Sequence, residues 1–335
     1  MKVLVIQGGP STEAAVSRAS GAAVVAALEE AGHTAWPIEL DAALPRNITT
    51  WGPDAAFPVA HGEVGEDGCL QGLLEVMGLP YVGSGVRASA IAADKVAAKL
   101  FFQAAGLPLA RQTLVTQDRF SSTDTEQLLR ELSGAVGPDF IIKPSAGGST
   151  IGVTRILAAT RNESGPSRTA DMVAGLQLAL ELSEVALIES YHLGKEVNCG
   201  VLEGNGGPVA LPPTLIEPLA SDWYDFESKY KSGGSRHVCP APLAPDLTER
   251  IQAAAVAAHR AVGARDLSRS DFIISDDGSF IVLELNNLPG MTSVSLFPEA
   301  ARAAGIPFPE LVDGLVRRAV SRGASRPQRG LALPS

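Results

Sequence analysis

The chain has 335 residues and a formal net charge of −10, with 45% hydrophobic and 19% charged residues. That length allows two or three domains with a large core, and the acidic balance argues against a general nucleic-acid or membrane-surface role. No apolar run is long enough to span a bilayer, and the three cysteines show neither disulfide nor metal-ligand spacing, which favours a cytoplasmic protein.

The N-terminal part of the chain predicts alternating strands and helices. The segment MKVLVIQGG is interpreted as a buried strand that ends in a glycine turn, and not as a signal peptide. A helix follows, with Ser11 or Thr12 as its cap and Gly32 at its end. The next elements are predicted as the strand HTAWPIEL, the strand AAFPVAHG, the helix GCLQGLLEVMG and the strand LPYVGSG. This alternation is typical of a parallel sheet with helices on its faces.

Three polar features lie where the strands of this sheet should end, which is where such sheets bind ligands. They are Glu13, His61 and the glycines of GSGVRA at 83–88. The glycines resemble a dinucleotide-binding turn, but several strands precede them and no suitable acid follows, so a nicotinamide or flavin site is not favoured. Glu13 and His61 also fit simpler roles, as a first-turn helix acid and a loop histidine.

A strongly helical segment, ASAIAADKVAAKLFFQAAGLPLA, closes the first domain and contains Lys95. After it, FIIKPSAGGSTIGV predicts a strand, Phe140–Ile142, that leads to Lys143 and a loop of small residues. In the common phosphate loop the lysine follows the last glycine and opens a helix, whereas here the lysine comes first and a strand follows. Lys143 is placed to reach a phosphate beside this loop. Taken alone, both lysines also fit surface positions.

The C-terminal region predicts a hairpin with four polar side chains on one face. The turn DDG at 276–278 lies between two apolar runs, and folding about it brings Asp271 opposite Glu284, within one residue of register. Arg269 and Asn286 share that face, because side chains two residues apart in a strand point the same way. Two carboxylates and an amide oxygen suit Mg²⁺ that also holds phosphate oxygens, whereas opposed buried carboxylates without a cation would repel each other. The alternative is an exposed polar face at a sheet edge.

The order of these motifs resembles the ATP-grasp superfamily, in which two α+β domains hold ATP between them. A lysine precedes a small-residue loop, VALIESY and GKEV follow, and an aspartate-bearing strand and LELNN come last. The resemblance is closer to D-alanine–D-alanine ligases and extends from about Lys2 to Val316 with the motifs in the same order. The matching segments are HGEVGEDGCLQGLLEVMGLPYVGSGVRASAIAADK, IIKPSAGGSTIGV, DWYDFESKY and LELNNLPGMTSVSLFP.

This resemblance implies a mixed α/β and α+β architecture. An N-terminal parallel-sheet (pre-ATP-grasp) domain at 1–97 would precede a two-domain ATP-grasp module with a central subdomain at 98–191. The C-terminal subdomain at 192–320 would carry the metal site and a lid loop, and 321–335 would form a flexible tail. The implied activity is the ATP-dependent joining of two D-alanines through an acyl phosphate, for peptidoglycan precursor synthesis, by a cytoplasmic homodimer. The alternatives are a D-alanine–D-lactate ligase, another carboxylate–amine ligase and a non-catalytic nucleotide-binding module.

The resemblance also implies roles for individual residues, which are grouped here by what they would contact. ATP would be bound by Lys95, Lys143, Glu189 and Glu196. Two Mg²⁺ ions, with Mn²⁺ as a substitute, would be held by Asp271, Glu284 and Asn286. The first D-alanine and the oxyanion of the intermediate would be bound by Glu13, Ser149, Tyr230, Arg269 and the N–H of Gly290. His61 would lie near the first substrate, and the second carboxylate would be held by Lys229, Ser295 and the backbone of Leu296.

The polar loop SDWYDFESKYKSGGSR at 221–236 is predicted to be a lid that excludes water from the acyl phosphate. It contains Tyr230, which predicts a dipeptide product because depsipeptide-forming relatives lack a tyrosine at the matching place. The chain departs from the family pattern at Ala14 and Ala15, where charged residues are common, and in its small-residue loop. Neither of these two departures removes a proposed catalytic group. The loop at 158–169 is also longer than usual.

Overall fold

A computed structural model describes residues 1–148, 150–158, 167–219 and 234–324. The N-terminal region is a parallel sheet, as the sequence predicts, and its three strands lie in the order β2-β1-β3. Its strands are β1 Lys2–Gln7, β2 Thr34–Glu39 and β3 Ala55–Pro58. Its helices are α1 Ala14–Glu30, α2 Leu44–Trp51 and α3 Cys69–Val76. The carboxyl ends of β1 and β3 therefore place the loops that carry Glu13 and His61 side by side.

Three details of this region differ from the sequence predictions. Helix α1 starts after Glu13 without a side-chain cap, and the hydroxyl of Ser11 instead donates to the carbonyl of His61 at 2.6 Å. Ser11 thus joins the two ligand-facing loops, which is a long-range contact that a capping pattern cannot reveal. Helix α2 was not predicted, and the predicted strand LPYVGSG is reduced to a single bridge between Tyr81 and Ala56.

The predicted continuous helix after Gly85 is wrong, because Asp94 divides it. Helices α4 Val86–Ala93 and α5 Lys95–Ala104 flank this residue, whose backbone is extended. The Asp94 carboxylate accepts hydrogen bonds from the N–H groups of Val96 and Ala97 at 2.8 and 3.1 Å, so it caps α5. Lys95 is therefore the first residue of a helix that begins at the site, and not a lysine inside an apolar helix.

The central region is an antiparallel sheet in the order β4-β7-β5-β6. Its strands are β4 Gln112–Thr116, β5 Phe140–Pro144, β6 Thr154–Ile156 and β7 Val185–Ser190. Its helices are α6 Gln117–Ser122, α7 Thr125–Val136 and α8 Arg168–Leu182. Phe140, Ile142 and Ile188 point from one face into a core shared with α7 and α8. Because side chains alternate along strands, Lys143 and Glu189 point from the opposite face.

The C-terminal region is a second antiparallel sheet in the order β11-β10-β8-β12-β13, with β9 paired to β8. Its strands are β8 Lys195–Gly204, β9 Gly207–Ala210, β10 Thr214–Pro218, β11 Ser235–Val238, β12 Leu267–Ile274 and β13 Phe280–Asn286. Its helices are α9 Pro245–Val262, α10 Leu296–Ala303 and α11 Phe308–Arg322. The long predicted helix and the DDG hairpin are both confirmed.

Two hydrophobic clusters join the N-terminal sheet and helix α5 to the C-terminal region. Val5 and Phe57 of the N-terminal sheet share a core with Phe297 of α10 and Leu315 of α11. Helix α5 packs on the C-terminal sheet, where Phe102 lies in one cluster with residues of β8, β12 and α9. The predicted domain boundaries stay predictions. Within the described ranges, no helix has both the length and the apolar character needed to cross a membrane.

Candidate active site

A cavity of about 610 Å³ lies between the central and C-terminal sheets. Both sheets and the start of α5 line it, and its size suits a nucleotide or a comparable ligand. The central sheet contributes Lys143 and Glu189, and the C-terminal sheet contributes Glu196, Asp271 and Glu284. Lys95 lines the same cavity, so the predicted nucleotide residues and two of the three predicted metal ligands surround one space.

Lys143 and Glu189 form a buried ion pair on the floor of this cavity. Lys143 pairs with Leu187 and Ile141 pairs with Glu189, so the two charged side chains are diagonal neighbours on one face of the sheet. The second oxygen of Glu189 lies 2.6 Å from the ammonium of Lys99, which comes from α5. Burial alone would raise the pKa of Glu189, but the charges of Lys143 and Lys99 outweigh it and hold that pKa below its usual value. The carboxylate is therefore ionised at neutral pH.

Lys95 joins the start of α5 to the small-residue loop and to the hairpin. Its ammonium donates to the carbonyl of Gly147 and lies 3.4 Å from the Glu284 carboxylate. Its backbone N–H donates to the carbonyl of Ser145 at 2.8 Å, and Asp94 forms a bridge with Ala146. The break in the predicted helix thus places Lys95 beside the glycine loop. An anionic ligand there would contact both the lysine and the loop.

The hairpin has the predicted register, with Asp271 opposite Glu284 and Arg269 opposite Asn286. A bulge follows directly after Asp271. The guanidinium of Arg269 donates to both oxygens of Asp271, at 2.8 and 2.9 Å, which confirms that the two side chains share a face. Such bidentate pairing fixes the plane of the guanidinium.

The hairpin oxygens are chemically suited to a divalent cation. Asp271 and Glu284 supply two carboxylates at facing positions, and the amide oxygen of Asn286 follows on the same strand face. That amide oxygen also accepts a hydrogen bond from the N–H of Leu288 at 2.8 Å, which orients it. Among the residues that the structure describes, no three His, Cys, Asp or Glu side chains gather as a metal site, so the predicted set is a mixed carboxylate–amide one.

Glu13 and His61 lie together on the N-terminal side of the site. The His61 side chain is buried, and burial lowers its pKa, while the charge of Glu13 raises it and that of Arg269 lowers it. A Cβ atom on Gly148 would lie 3.7 Å from the Glu13 carboxylate, so the small-residue loop of the central region reaches this acid. The first-strand loop, the histidine loop and the glycine loop therefore converge.

Glu66 belongs to the same cluster and was not identified from the sequence. Its carboxylate accepts a hydrogen bond from the N–H of Gly62 at 3.0 Å. Burial, assisted by the charges of Glu13 and Glu284, raises the pKa of Glu66 to about 8, although Lys95 opposes the shift. The segment HGEVGEDG contains two other acids, and only the folded loop shows which one is enclosed. Lys99 was missed for a similar reason, although its spacing of four residues from Lys95 was a usable signal.

The remaining predicted residues lie at the edge of the described site or outside it. Ser295 directly precedes α10, which begins at Leu296, and its hydroxyl accepts a hydrogen bond from the N–H of Thr292 at 3.0 Å. A Cβ atom on Gly290 would lie 2.9 Å from that hydroxyl, so Gly290 and Ser295 are neighbours. They do not line the 610 Å³ cavity. The predictions outside the described residues concern Ser149, Lys229, Tyr230, most of the lid loop, most of the 158–169 loop and the end of the tail.

Comparisons with known proteins point to one family. Residues 101–317 match the family model described as the D-ala D-ala ligase C-terminus, and residues 46–84 match the corresponding N-terminus model. The D-alanine–D-alanine ligase of Gluconobacter oxydans is 40% identical over 328 residues, covering 96% of this chain and 100% of the relative. That of Desulforudis audaxviator is 42% identical over 324 residues, covering 96% and 99%.

Solved structures of D-alanine–D-alanine ligases have the same fold. The Bacillus anthracis enzyme complexed with ATP aligns with a TM-score of 0.78 at 28% identity, covering 96% of this chain and 98% of that chain. The Coxiella burnetii enzyme aligns with a TM-score of 0.77 at 25% identity, covering 96% of each chain. The likeness extends across all three regions and includes both sheets that enclose the cavity. The chain belongs to the D-alanine–D-alanine ligase family.

Proposed function

We propose that this protein joins two D-alanines to D-alanyl-D-alanine at the expense of ATP, for peptidoglycan precursor synthesis. The observation that carries the proposal is the cavity between the sheets, which is lined by Lys95 and Lys143 and by the facing carboxylates Asp271 and Glu284. This charge pattern suits a triphosphate with divalent cations, and a family member of the same fold was solved with ATP. We also propose that the enzyme acts in the cytoplasm as a homodimer, which rests on the family resemblance.

The first step joins two anions, so the site must reduce their repulsion. The carboxylate oxygen of the first D-alanine forms a bond to the γ-phosphorus of ATP, the bond from that phosphorus to the β-phosphate oxygen breaks, and ADP leaves. Lys95 and Lys143 would offset the phosphate charge. Asp271, Glu284 and Asn286 would hold two Mg²⁺ ions, which when bound neutralise charge on the phosphates. Glu196 would bind the ribose hydroxyls and Glu189 the adenine edge.

The second step releases inorganic phosphate from the acyl phosphate. The neutral amine of the second D-alanine forms a bond to the acyl carbon and loses one proton to solvent, and the resulting oxyanion would be stabilised by Arg269 and the N–H of Gly290. Each such donor is worth about 2.7–4 kcal/mol by analogy with oxyanion-hole deletions. The carbonyl then re-forms as the bond to phosphate breaks. The pair with Asp271 supports this role, because it holds the guanidinium of Arg269 in one plane.

The substrates themselves would be held by the remaining predicted residues. Glu13 would pair with the ammonium of the first D-alanine, and the lowered pKa of His61 keeps the imidazole neutral near it, so that it does not repel the ammonium. The other substrate contacts would come from Ser149, Tyr230, Lys229, Ser295 and the backbone of Leu296. The 221–236 loop would close over the acyl phosphate to exclude water.

The decisive experiment is phosphate release from ATP by the purified protein with and without D-alanine. The proposal expects release that depends on D-alanine and on Mg²⁺, together with D-alanyl-D-alanine in the products by chromatography. Other amino acids and hydroxy acids, D-lactate included, are tested in parallel. Release driven by another acid in place of D-alanine, or ATP binding without any release, would contradict the proposal.

A further inference from the structure

Lys99 is a buried cation that the proposed chemistry does not use. Its side chain is 1% exposed, and it lies beneath the cavity without lining it. Burying an ammonium costs several kcal/mol, and apolar residues can often replace buried ion pairs without loss of stability. The presence of a lysine here, 2.6 Å from the Glu189 carboxylate, therefore calls for a role beyond packing.

Helix α5 packs on the C-terminal sheet and places Lys99 against the central sheet. Ala98 and Phe102 of this helix pack in the core of the C-terminal sheet. Lys95 and Lys99 are four residues apart and share a helix face. Lys95 lies 3.4 Å from Glu284 of the C-terminal hairpin, while Lys99 pairs with Glu189 of the central sheet. One helix thus supplies a cation to each wall of the cavity.

The charged side chains of Lys143, Glu189 and Lys99 at the floor of the cavity differ in their exposure. Two lysines compensate one carboxylate, which leaves one positive charge in excess. Lys143 is the most exposed of the three, with 11% of its side chain accessible, against 4% for Glu189 and 1% for Lys99. Only Lys143 and Glu189 line the cavity. If Lys99 were absent, Glu189 would depend on Lys143 alone for its compensation.

We propose that Lys99 is a positioning residue for nucleotide binding. From beneath the cavity it compensates Glu189, so that Lys143 can share its ammonium with a phosphate of the ligand while Glu189 keeps its place on the floor. This inference rests on the proposed function, because it takes the ligand to be ATP. It adds a residue that contacts neither substrate but sets how strongly Lys143 binds the phosphate.

The test compares wild type with Lys99→Met, a substitution of similar length without charge. Calorimetry gives the dissociation constant of ATP with Mg²⁺, and steady-state assays give KM for ATP and for D-alanine. We expect ATP binding to weaken roughly tenfold, as for the loss of a coupled charge pair, with KM for D-alanine changed less than about twofold. Lys2→Met is the matched control, since Lys2 lies in the N-terminal sheet and its ammonium donates to the carbonyl of Trp51.

A double-mutant cycle separates positioning from simple structural damage. Because Lys99 acts through Glu189, Lys99→Met should add less than about twofold to the ATP dissociation constant in a Glu189→Gln background. Equal losses in both backgrounds would overturn the proposal, as would an unchanged ATP affinity in Lys99→Met. If Lys99→Met does not fold, Lys99→Met/Glu189→Gln, which removes both buried charges, is compared with Glu189→Gln, and a further loss would overturn the proposal. Absence of D-alanine-dependent phosphate release in wild type would instead count against the proposed function.

Discussion

The central and C-terminal walls of the cavity both carry buried acids, but they compensate them differently. On the central wall, Lys143 and Lys99 flank the single carboxylate of Glu189, so the wall is positive before any ligand arrives. On the C-terminal wall, Asp271 and Glu284 face each other, and Arg269 pairs with Asp271. The first wall can bind an anion directly, whereas the second becomes complementary to an anion through a cation.

This difference explains why carboxylates on the two walls have different roles. A carboxylate between two lysines is an ion-pair network that shapes the floor and has its charge already neutralised. On the C-terminal wall two carboxylates lie opposite each other, and Lys95 lies 3.4 Å from Glu284. The walls should consequently respond differently to removal of a charge, and the following predictions probe that difference from the largest expected effect to the smallest.

Glu284→Gln should be the most damaging change on the C-terminal wall. The amide keeps the shape of the side chain but removes the charge that would hold Mg²⁺, so we expect kcat/KM to fall at least about a hundredfold while the protein stays folded. Phosphate release at saturating Mg²⁺ measures kcat/KM, and circular dichroism shows whether the variant is folded. Glu249→Gln, at an exposed position on α9, is the control. Near-normal turnover of Glu284→Gln would remove the assumed difference between the walls.

Arg269→Lys should lower kcat about a hundredfold, because lysine keeps the charge but cannot make the bidentate pair with Asp271. The dissociation constant of ATP should change less than about threefold, since this residue is proposed to act on the oxyanion of the second step. Single-turnover measurements and calorimetry separate the two quantities. A large loss of ATP affinity with unchanged kcat would place Arg269 with the nucleotide-binding residues instead.

Glu66 should make the free energy of unfolding depend on pH. Its pKa is about 8 in the folded protein, against 4.5 without the fold, so the folded protein keeps a proton that the unfolded chain releases. Stability should therefore fall as the pH rises from about 4.5 to about 8, and Glu66→Gln should flatten this part of the profile. Urea unfolding at pH 5, 7 and 9, without nucleotide or divalent metal, tests this. An unchanged slope in Glu66→Gln, equal to that of Glu249→Gln, would show that Glu66 titrates normally.

The smallest expected effect concerns Tyr230, which lies in the lid loop outside the described residues. Its hydroxyl is predicted to complete a hydrogen-bond network with Ser149 and Glu13 around the first D-alanine. Tyr230→Phe should admit D-lactate several-fold more readily at about pH 6, where less D-alanine carries the neutral amine that attacks. Competition between labelled D-alanine and D-lactate, scored by chromatography, measures the ratio. An unchanged ratio would exclude the hydroxyl of Tyr230 from selectivity, and abundant depsipeptide from wild type at pH 7.5 would contradict the substrate assignment.

The amino-acid sequence by itself determined the elements that depend on local pattern. The alternation of apolar residues and the DDG turn predict the hairpin and place Asp271 opposite Glu284, because two-residue periodicity and a tight turn leave little freedom of register. The first strand and the long C-terminal helix follow from the same kind of local information. The order of the motifs then pointed to the family, and the family models agree with it.

Only the tertiary structure decided which of several similar residues matter. Helix propensity runs through Asp94, yet the chain breaks there because the carboxylate caps α5 as that helix meets the glycine loop. Nothing local distinguishes Lys99 from a surface lysine, or Glu66 from the acids beside it. Their roles come from groups far apart in sequence, such as Glu189 for Lys99 and Glu13 for Glu66. Burial and charge at such long range arise when the three regions pack together, and a linear pattern does not encode them.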